Sequence, residues 1–326
     1  SGALRRSTDG GVTWSAKLAG GGGYCGGQCF YDLPVAISPT DANIILIGGA
    51  GNSTCSRVYA RSTNAGASFT AAGVGDVGLH ADAHAIVFAP SDPNIVYEGN
   101  DGGIYKSTNG GANWTSLNVY PFSAAQYQSL DVHPTDPNFT IGGTQDNGTQ
   151  HYRPDGTWNR IDYGDGGFTV IDQNAPDNSN VRMFHTYFNQ TNAMGYARVT
   201  NVAGAADGIW AFFGCGFSGS TANGMTCTAT ACQFYAPMVR GPGNPNTLYF
   251  GSDVLYRSAN GGTTVSKVSQ EPITSGRAIS AIAIAPSNDN VRLVGLTSST
   301  IWGTTTGSST LVNMTGAGMP VKYIGR

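Results

Sequence analysis

Three side chains in one short segment could do chemistry together: His80, Asp82 and His84 in Leu79-His-Ala-Asp-Ala-His-Ala85. At i, i+2 and i+4 an extended chain puts all three on one face. Two imidazoles and a carboxylate so placed would hold a divalent metal or contact an acidic or hydroxylated ligand. Their structural alternative is a hydrogen-bonded cluster in which Asp82 bridges the two histidines. Three further carboxylates stand in glycine-rich loops: Asp101 in Asn100-Asp-Gly-Gly103, Asp146 in Thr144-Gln-Asp-Asn-Gly148 and Asp165 in Gly164-Asp-Gly-Gly167. Carboxylate and backbone oxygens in such loops suit calcium. None has EF-hand spacing, and Asp-Gly is first a turn signal. No cofactor is therefore expected beyond that calcium, with Asp101, Asp146 and Asp165 as its candidate ligands.

The elements that must position these groups come from a repeat. A turn of the form Ser-x-Asp/Asn-x-Gly-x-x-aromatic occurs as Ser7-Thr-Asp-Gly-Gly-Val-Thr-Trp14, Ser62-Thr-Asn-Ala-Gly-Ala-Ser-Phe69 and Ser107-Thr-Asn-Gly-Gly-Ala-Asn-Trp114. Ser258-Ala-Asn-Gly-Gly-Thr-Thr-Val265 lacks the aromatic, and worn copies lie at Pro154–Trp158, Ala206–Trp210 and Thr305–Leu311. Measured at the Asp/Asn position, successive copies are 45 to 55 residues apart. Asp9, Asn64, Asn109 and Asn260 are read as acceptors for turn backbone, glycine as the source of positive φ, and Trp14, Phe69 and Trp114 as the rings that pack the turn down.

A second repeat runs out of phase: an apolar strand ending in Pro, a polar Asx turn, and a strand ending in Gly. It occurs as Ala36–Gly48, Ile86–Gly99, Leu130–Gly142, Val170–Phe184, Gly241–Gly251 and Ile282–Gly295. Four antiparallel strands in each unit of roughly 45 to 50 residues is the pattern of a propeller blade. The predicted fold is thus all-β, one seven-bladed β-propeller. Six blades lie within 30–316, near 30–72, 79–117, 125–162, 166–212, 232–269 and 278–315. Residues 1–18 and 319–326 would share the closing blade and so remove free sheet edges. That blade is one strand short, which implies either three strands or a longer natural chain. The blade phase brings Asp32, Gln126, Gln128, Asp165 and Arg277 with Ser280 to the same channel mouth as His80, Asp82 and His84. Propellers bind ligands there.

Composition narrows the function classes. The 326 residues include 47 glycines, 11% charged residues and a net charge of −3, with only Lys17, Lys106, Lys267 and Lys322 as lysines. No basic block offers a nucleic-acid footprint, and no apolar run approaches the ~18 residues of a membrane span. The six cysteines fall in two groups, Cys25, Cys29 and Cys55, then Cys215, Cys227 and Cys232. One bridge is expected in each group: Cys25–Cys29 or Cys25–Cys55, and Cys215–Cys227 or Cys227–Cys232. A bridge between groups stays open for the remaining pair. With sequons at Asn52, Asn113, Asn138, Asn147, Asn189 and Asn313, this points to an extracellular or periplasmic protein. No leader is read at the start, so a mature or trimmed chain is expected. The 214–232 segment leaves the blade pattern and reads as a tied face loop with a binding role. Of the rings before it, Phe184, Tyr187, Phe188, Tyr196, Trp210, Phe212 and Phe213, most are expected in the core between blades.

The Ser-x-Asx-x-Gly turns resemble those of the BNR or Asp-box propeller superfamily of sialidases, two-propeller xyloglucanases, sortilin-type receptors and photosystem assembly factors. Tyr24–Asp32, Leu79–Ala85, Gly99–Gly103, Gly143–Thr149 and Tyr163–Phe168 are similar to segments of secreted bacterial BNR-repeat proteins. The resemblance implies the propeller fold. It does not carry a sialidase site, because no Arg-Ile-Pro segment is present and the only glutamates are Glu98, inside a strand, and Glu271. The length allows one propeller rather than two. Function is therefore expected to be that of a secreted, non-catalytic binding propeller with a glycan or extracellular protein as partner. The alternatives are a glycoside hydrolase built on two of the many Asp residues, and a subunit of an extracellular assembly that uses the incomplete blade to self-associate.

Overall fold

Short β-branched and aromatic runs separated by Asx and Gly turns favour strands, and no helix occurs among the described residues. The computed structural model describes residues 3–18, 24–25, 27–50, 59–72, 79–118, 125–200, 210–242, 244, 246–319 and 323–324. Cys55, the Asn52 sequon, Asp207 and most of the expected last strand at 320–326 lie outside them. The chain forms two compact units, Ser1–Ala125 and Gln126–Arg326.

Among the described residues, the first unit holds two four-stranded antiparallel sheets. One is β1 (Val35–Ile37), β2 (Ile45–Gly48), β3 (Tyr59–Ser62) and β4 (Thr70–Ala72); the other is β5 (Ala83–Ala89), β6 (Asp92–Asn100), β7 (Gly103–Ser107) and β8 (Thr115–Ser116). The second unit holds four. They are β9 (Tyr127–Val132), β10 (Thr140–Thr144), β11 (Gly148–Tyr152) and β12 (Trp158–Asp162); β13 (Thr169–Ile171), β14 (Met183–His185), β15 (Met194–Val199) and β16 (Ala211–Cys215); β17 (Met238–Arg240), β18 (Leu248–Gly251), β19 (Leu255–Ser258) and β20 (Ser266–Lys267); and β21 (Ile279–Ala285), β22 (Asn288–Leu296), β23 (Ile301–Thr304) and β24 (Val312–Asn313). Every sheet runs in sequence order, first strand to fourth. This all-β arrangement of four-stranded meanders is of β-propeller type.

The burial pattern follows strand position. Second strands such as Ile45-Leu46-Ile47-Gly48 and Leu248-Tyr249-Phe250-Gly251 are buried along their length. Several fourth strands are only two residues long, as in β8, β20 and β24, which leaves little open edge for another chain to pair with. The terminal glycine of a second strand lets the next sheet approach. A Cβ on Gly251 would stand 3.0 Å from Ile279 Cβ.

The two repeated turns are bonded to each other. In the turn after β3, Ser62 Oγ donates to Asn64 Oδ1 at 3.0 Å, and accepts Gly66 N–H at 2.9 Å, while Asn64 Oδ1 accepts Ser68 N–H at 2.9 Å. The same three bonds recur at Ser7 with Asp9, Ser107 with Asn109 and Ser258 with Asn260, all between 2.7 and 3.0 Å. The residue after the Asx, Ala65, Gly110 or Gly261, then donates its N–H to the carbonyl of Asn43, Asn94 or Asn246 in the first turn of its own sheet, at 2.8–3.0 Å. Gly307 does the same to Asn290 at 2.9 Å although its turn has lost the Ser and Asx.

These turns also join neighbouring sheets. Within the first unit Tyr59 Oη donates to Gly111 O at 2.6 Å and Arg61 Nε to Gly110 O at 2.9 Å. Within the second, Tyr196 Oη donates to Gly262 O at 2.8 Å and Arg198 Nη1 to Gly261 O at 2.7 Å. Trp114 meets Tyr59 edge-on at 5.0 Å, as a ring that packs its turn down should. Trp14 does not: it is 60% exposed, with its Nε1 bonded back to Gly11 O at 3.0 Å. Residues 3–18 form a hairpin ladder, Leu18 N–H to Leu4 O at 2.9 Å and Ser15 N–H to Arg6 O at 2.8 Å, without a strand among them. At the other end Ile324 lies on Gly295 as Ile279 lies on Gly251, and Ile324 O accepts Ser280 Oγ–H at 2.6 Å.

Each cysteine group forms one bridge, Cys25–Cys29 and Cys215–Cys227. The alternative Cys227–Cys232 pairing is not formed, and burial pushes the free Cys232 thiol up to about 12.

The hydroxyl-centred turn yields a stability prediction. Ser258 is fully buried, so Ser258→Ala should cost about 1–3 kcal/mol by stranding Gly262 N–H. Ser7→Ala in the exposed copy should cost less than about 0.5 kcal/mol. Urea denaturation of both variants checks the difference.

Candidate functional site

In the first unit the site begins with a tied turn. The Cys25–Cys29 bridge spans a turn in which Asp32 N–H donates to Gln28 O at 3.0 Å, bringing the Gln28 and Asp32 side chains to one side. Gln28 Nε2 donates to Asp32 Oδ2 at 2.7 Å and to Asp82 Oδ1 at 2.6 Å, so one amide bridges two carboxyls. Asp32 is fully buried and its Oδ1 has no hydrogen-bond partner. His84 Nδ1 stands 3.9 Å from that oxygen, and His84 Nε2 is hydrogen-bonded to Asp101 Oδ1. Tyr31 stacks on the His84 ring with centroids 5.3 Å apart. Phe30 beside it is 81% exposed.

This arrangement corrects the local geometry expected for His80, Asp82 and His84. Strand β5 starts only at Ala83, and Asp82 has φ 62°, so the alternation that would align the three is interrupted. Asp tolerates the left-handed region better than most residues. His80 turns away, with Nδ1 3.0 Å from Ala81 O and its ring against Gly102. Asp82 and His84 still converge, through Asp32 rather than through each other. Burial, then the neighbouring Asp32 and Asp101 carboxyls, push Asp82 up to about 7 against the opposing pull of His80. Nearby Glu98, buried in β6, is pushed up to about 8 by burial despite the Asn100 amide at 2.9 Å.

The second unit contains its own carboxylate corner. Asp146, at φ 61°, donates its N–H to Asp165 Oδ1 at 3.2 Å. The two loops are zipped through backbone, Gly148 N–H to Gly164 O at 2.7 Å and Gly166 N–H to Thr144 O at 3.0 Å. A Cβ on Gly143 would collide with Gly167 O, which is why these loops are glycine-rich. Two carboxylates so close are donors of the kind calcium takes. Burial and then Asp165 raise both Tyr187 and Tyr235, with Asp162 adding to the first and Asp146 to the second. His185 is held between Thr186 O at 3.1 Å and Asp162 Oδ2 at 2.7 Å.

Beside this corner, Phe188 packs with Phe217 and stacks on Phe234, centroids 5.9 and 5.8 Å apart. Phe184, Tyr196, Trp210 and Phe213 are core as expected, whereas Tyr187, Phe188 and Phe212 are only half-buried. Phe217, Phe234 and Tyr235 are rings that sequence pattern did not single out as a group, and the signal available was their closeness to Cys215, Cys227 and Cys232. Of the other expected residues, Gln126 is exposed, Gln128 is half-buried on β9, and Arg277 is exposed on a turn closed by its own N–H to Thr274 O at 3.1 Å.

No protein-family model matches the chain, and no curated protein does. Among solved structures it is similar to the GH74 xyloglucanase from Xanthomonas campestris, at 15% identity and a TM-score of 0.41, over 96% of this chain and 47% of that one. It is also similar to YCF48 from Cyanidioschyzon merolae, at 13% identity and a TM-score of 0.39, over 90% of this chain and 87% of that one. A GH74 enzyme from Niastella koreensis matches at 17% identity and a TM-score of 0.38, over 86% of this chain and 46% of that one. The chain spans about half the length of these GH74 enzymes. No helix among the described residues is long and apolar enough to cross a membrane.

The titrating groups predict opposite pH responses. Asp82 and Glu98 hold protons in the folded state that the unfolded chain releases near its ordinary carboxylate pKa. Their contribution is therefore full below about pH 4 and is lost as pH rises toward about 7 and 8. His151 in the second unit is buried, and burial lowers it to about 4. Its contribution is present above about 6.5 and is lost as pH falls through about 4. Urea titrations across pH 4–8 should show Asp82→Asn and Glu98→Gln gaining stability relative to wild type as pH rises. His151→Gln should gain it as pH falls.

Proposed function

We propose that the chain is a secreted, non-catalytic binding protein whose ligand is a glycan held at Tyr31, His84, Asp101 and Asp82. The observation that carries this reading is the exposed Tyr31–His84 ring stack, hydrogen-bonded to Asp101. A ring face takes the C–H face of a sugar, and carboxyl groups beside it hydrogen-bond vicinal hydroxyls. Asp32 and Gln28 hold Asp82 in place from beneath.

The buried Asp32 cannot serve as one of a catalytic pair with Asp82. A retaining glycosidase needs two carboxyls about 5–5.5 Å apart with the scissile bond between them, and an inverting one needs more. Asp32 and Asp82 instead bond to one nitrogen, at 2.7 and 2.6 Å, and Asp32 is out of reach of any substrate. Secretion is supported by the two disulfides. Kinship with Asp-box propellers is supported by the repeated Ser–Asx hydrogen bonds of the turns at Ser7, Ser62, Ser107 and Ser258.

A glycan array followed by calorimetry on the strongest ligand tests the reading. Tyr31→Ala and His84→Ala should each weaken binding about tenfold or more, the effect of roughly 1.4 kcal/mol, while prolonged incubation leaves the glycan intact. Unchanged affinity in both variants, or release of a shorter glycan, would overturn it.

A further inference from the structure

The first strands of the four sheets in the second unit, β9, β13, β17 and β21, bound a cavity of about 420 Å³. Small-ligand pockets run roughly 300–1,000 Å³. Its exposed lining is more polar than apolar, and Leu130, Val170, Met238 and Ile284 supply the apolar part. Its polar side chains are spent on the protein, with one exception. Ser129 Oγ accepts Thr169 N–H at 3.2 Å, and Thr169 Oγ1 donates to Ile141 O at 3.3 Å. Asp131 accepts Val132 N–H at 3.1 Å on one oxygen and Ile171 N–H at 2.7 Å on the other.

Arg240 is the exception. It is the one Lys or Arg lining the cavity. Its Nε stands 3.7 Å from Asp131 Oδ2, close enough for attraction and too far for a hydrogen bond, and its guanidinium donates to no other described residue. The neighbouring carboxylate thus aims the arginine without consuming its donors. A planar fork of N–H groups matches a carboxylate in bidentate fashion, and Leu130 and Ile284 offer an apolar contact for what the carboxylate carries.

We propose that this cavity binds an organic carboxylate, with the anionic group on the Arg240 guanidinium and an apolar body against Leu130, Val170 and Ile284. This site lies wholly within the second unit and does not depend on the glycan reading of the first.

The test uses the full chain, with phenylacetate, 4-phenylbutyrate and decanoate as probes and 2-phenylethanol as the uncharged control, read by calorimetry. At least one carboxylate should bind saturably, and 2-phenylethanol about tenfold more weakly than phenylacetate or worse. Arg240→Met should lower affinity for that carboxylate about tenfold or more, and Arg240→Lys should restore part of it, since lysine returns the charge without the fork. Thermal melts of both variants show whether the fold is retained, and Arg240→Lys decides the matter if Arg240→Met does not fold. No saturable binding by any of the three carboxylates, equal binding of the alcohol, or affinity unchanged in the Arg240 variants would overturn the proposal.

Discussion

One backbone hydrogen bond organises every sheet in which the two repeats meet. The residue that follows the Asx of the third-to-fourth-strand turn donates to the asparagine carbonyl of the first-to-second-strand turn, as Gly110 does to Asn94 and Gly261 to Asn246, both at 2.8 Å. The bond requires the donor residue to adopt positive φ, between 55° at Ala65 and 78° at Gly307. Glycine meets that demand without strain, and the Ser hydroxyl and Asx oxygen hold the rest of the turn around it. The following glycine takes positive φ as well, 76° at Gly262, and packing adds to the demand: a Cβ there would stand 2.8 Å from Phe184 Cε1. Closing the turn and docking it onto the neighbouring sheet are therefore served by adjacent residues of one motif, which is why the motif recurs with its spacing intact.

The first-unit site lies where this regularity is broken. Asp82 takes a left-handed conformation immediately before β5, and the disulfide-tied turn at Cys25–Cys29 brings Gln28 and Asp32 up to meet it. Burying Asp32 beside a second carboxyl is unfavourable unless one of them keeps a proton or gains donors. The Gln28 amide supplies two donors, and Asp82 keeps its proton to about pH 7. The arrangement is stabilising while Asp82 keeps its proton and less so as pH rises toward about 7. Its effect is to hold a proton, an amide and two rings in fixed relation at a surface.

The regular parts were legible in sequence because they depend on local chemistry. The Ser-x-Asx-x-Gly spacing predicts a turn with particular hydrogen bonds, and alternation with terminal Gly predicts the strands of a blade. Trp14 shows the limit of that logic, since the motif places an aromatic there and only a neighbouring sheet can bury it. The site was partly legible: His84, Asp82 and Asp32 were read as neighbours, but through an extended chain that Asp82 does not adopt. Gln28, Tyr31 and Asp101 entered the cluster through contacts between segments far apart in sequence, and no local pattern encodes those. Arg240 was invisible for the same reason, because an unspent guanidinium is recognised only once the partners of every polar group around it are known.

On the reading proposed above, the Tyr31–His84 stack and the carboxyls beside it form a recognition site rather than a structural knot. A crystal structure of the chain with its strongest array glycan tests this most directly. A sugar ring should lie on Tyr31 or His84, with hydroxyls on Asp101 and Asp82 and the glycosidic bond intact. A glycan bound away from these residues, with the stack covered by protein alone, would contradict it.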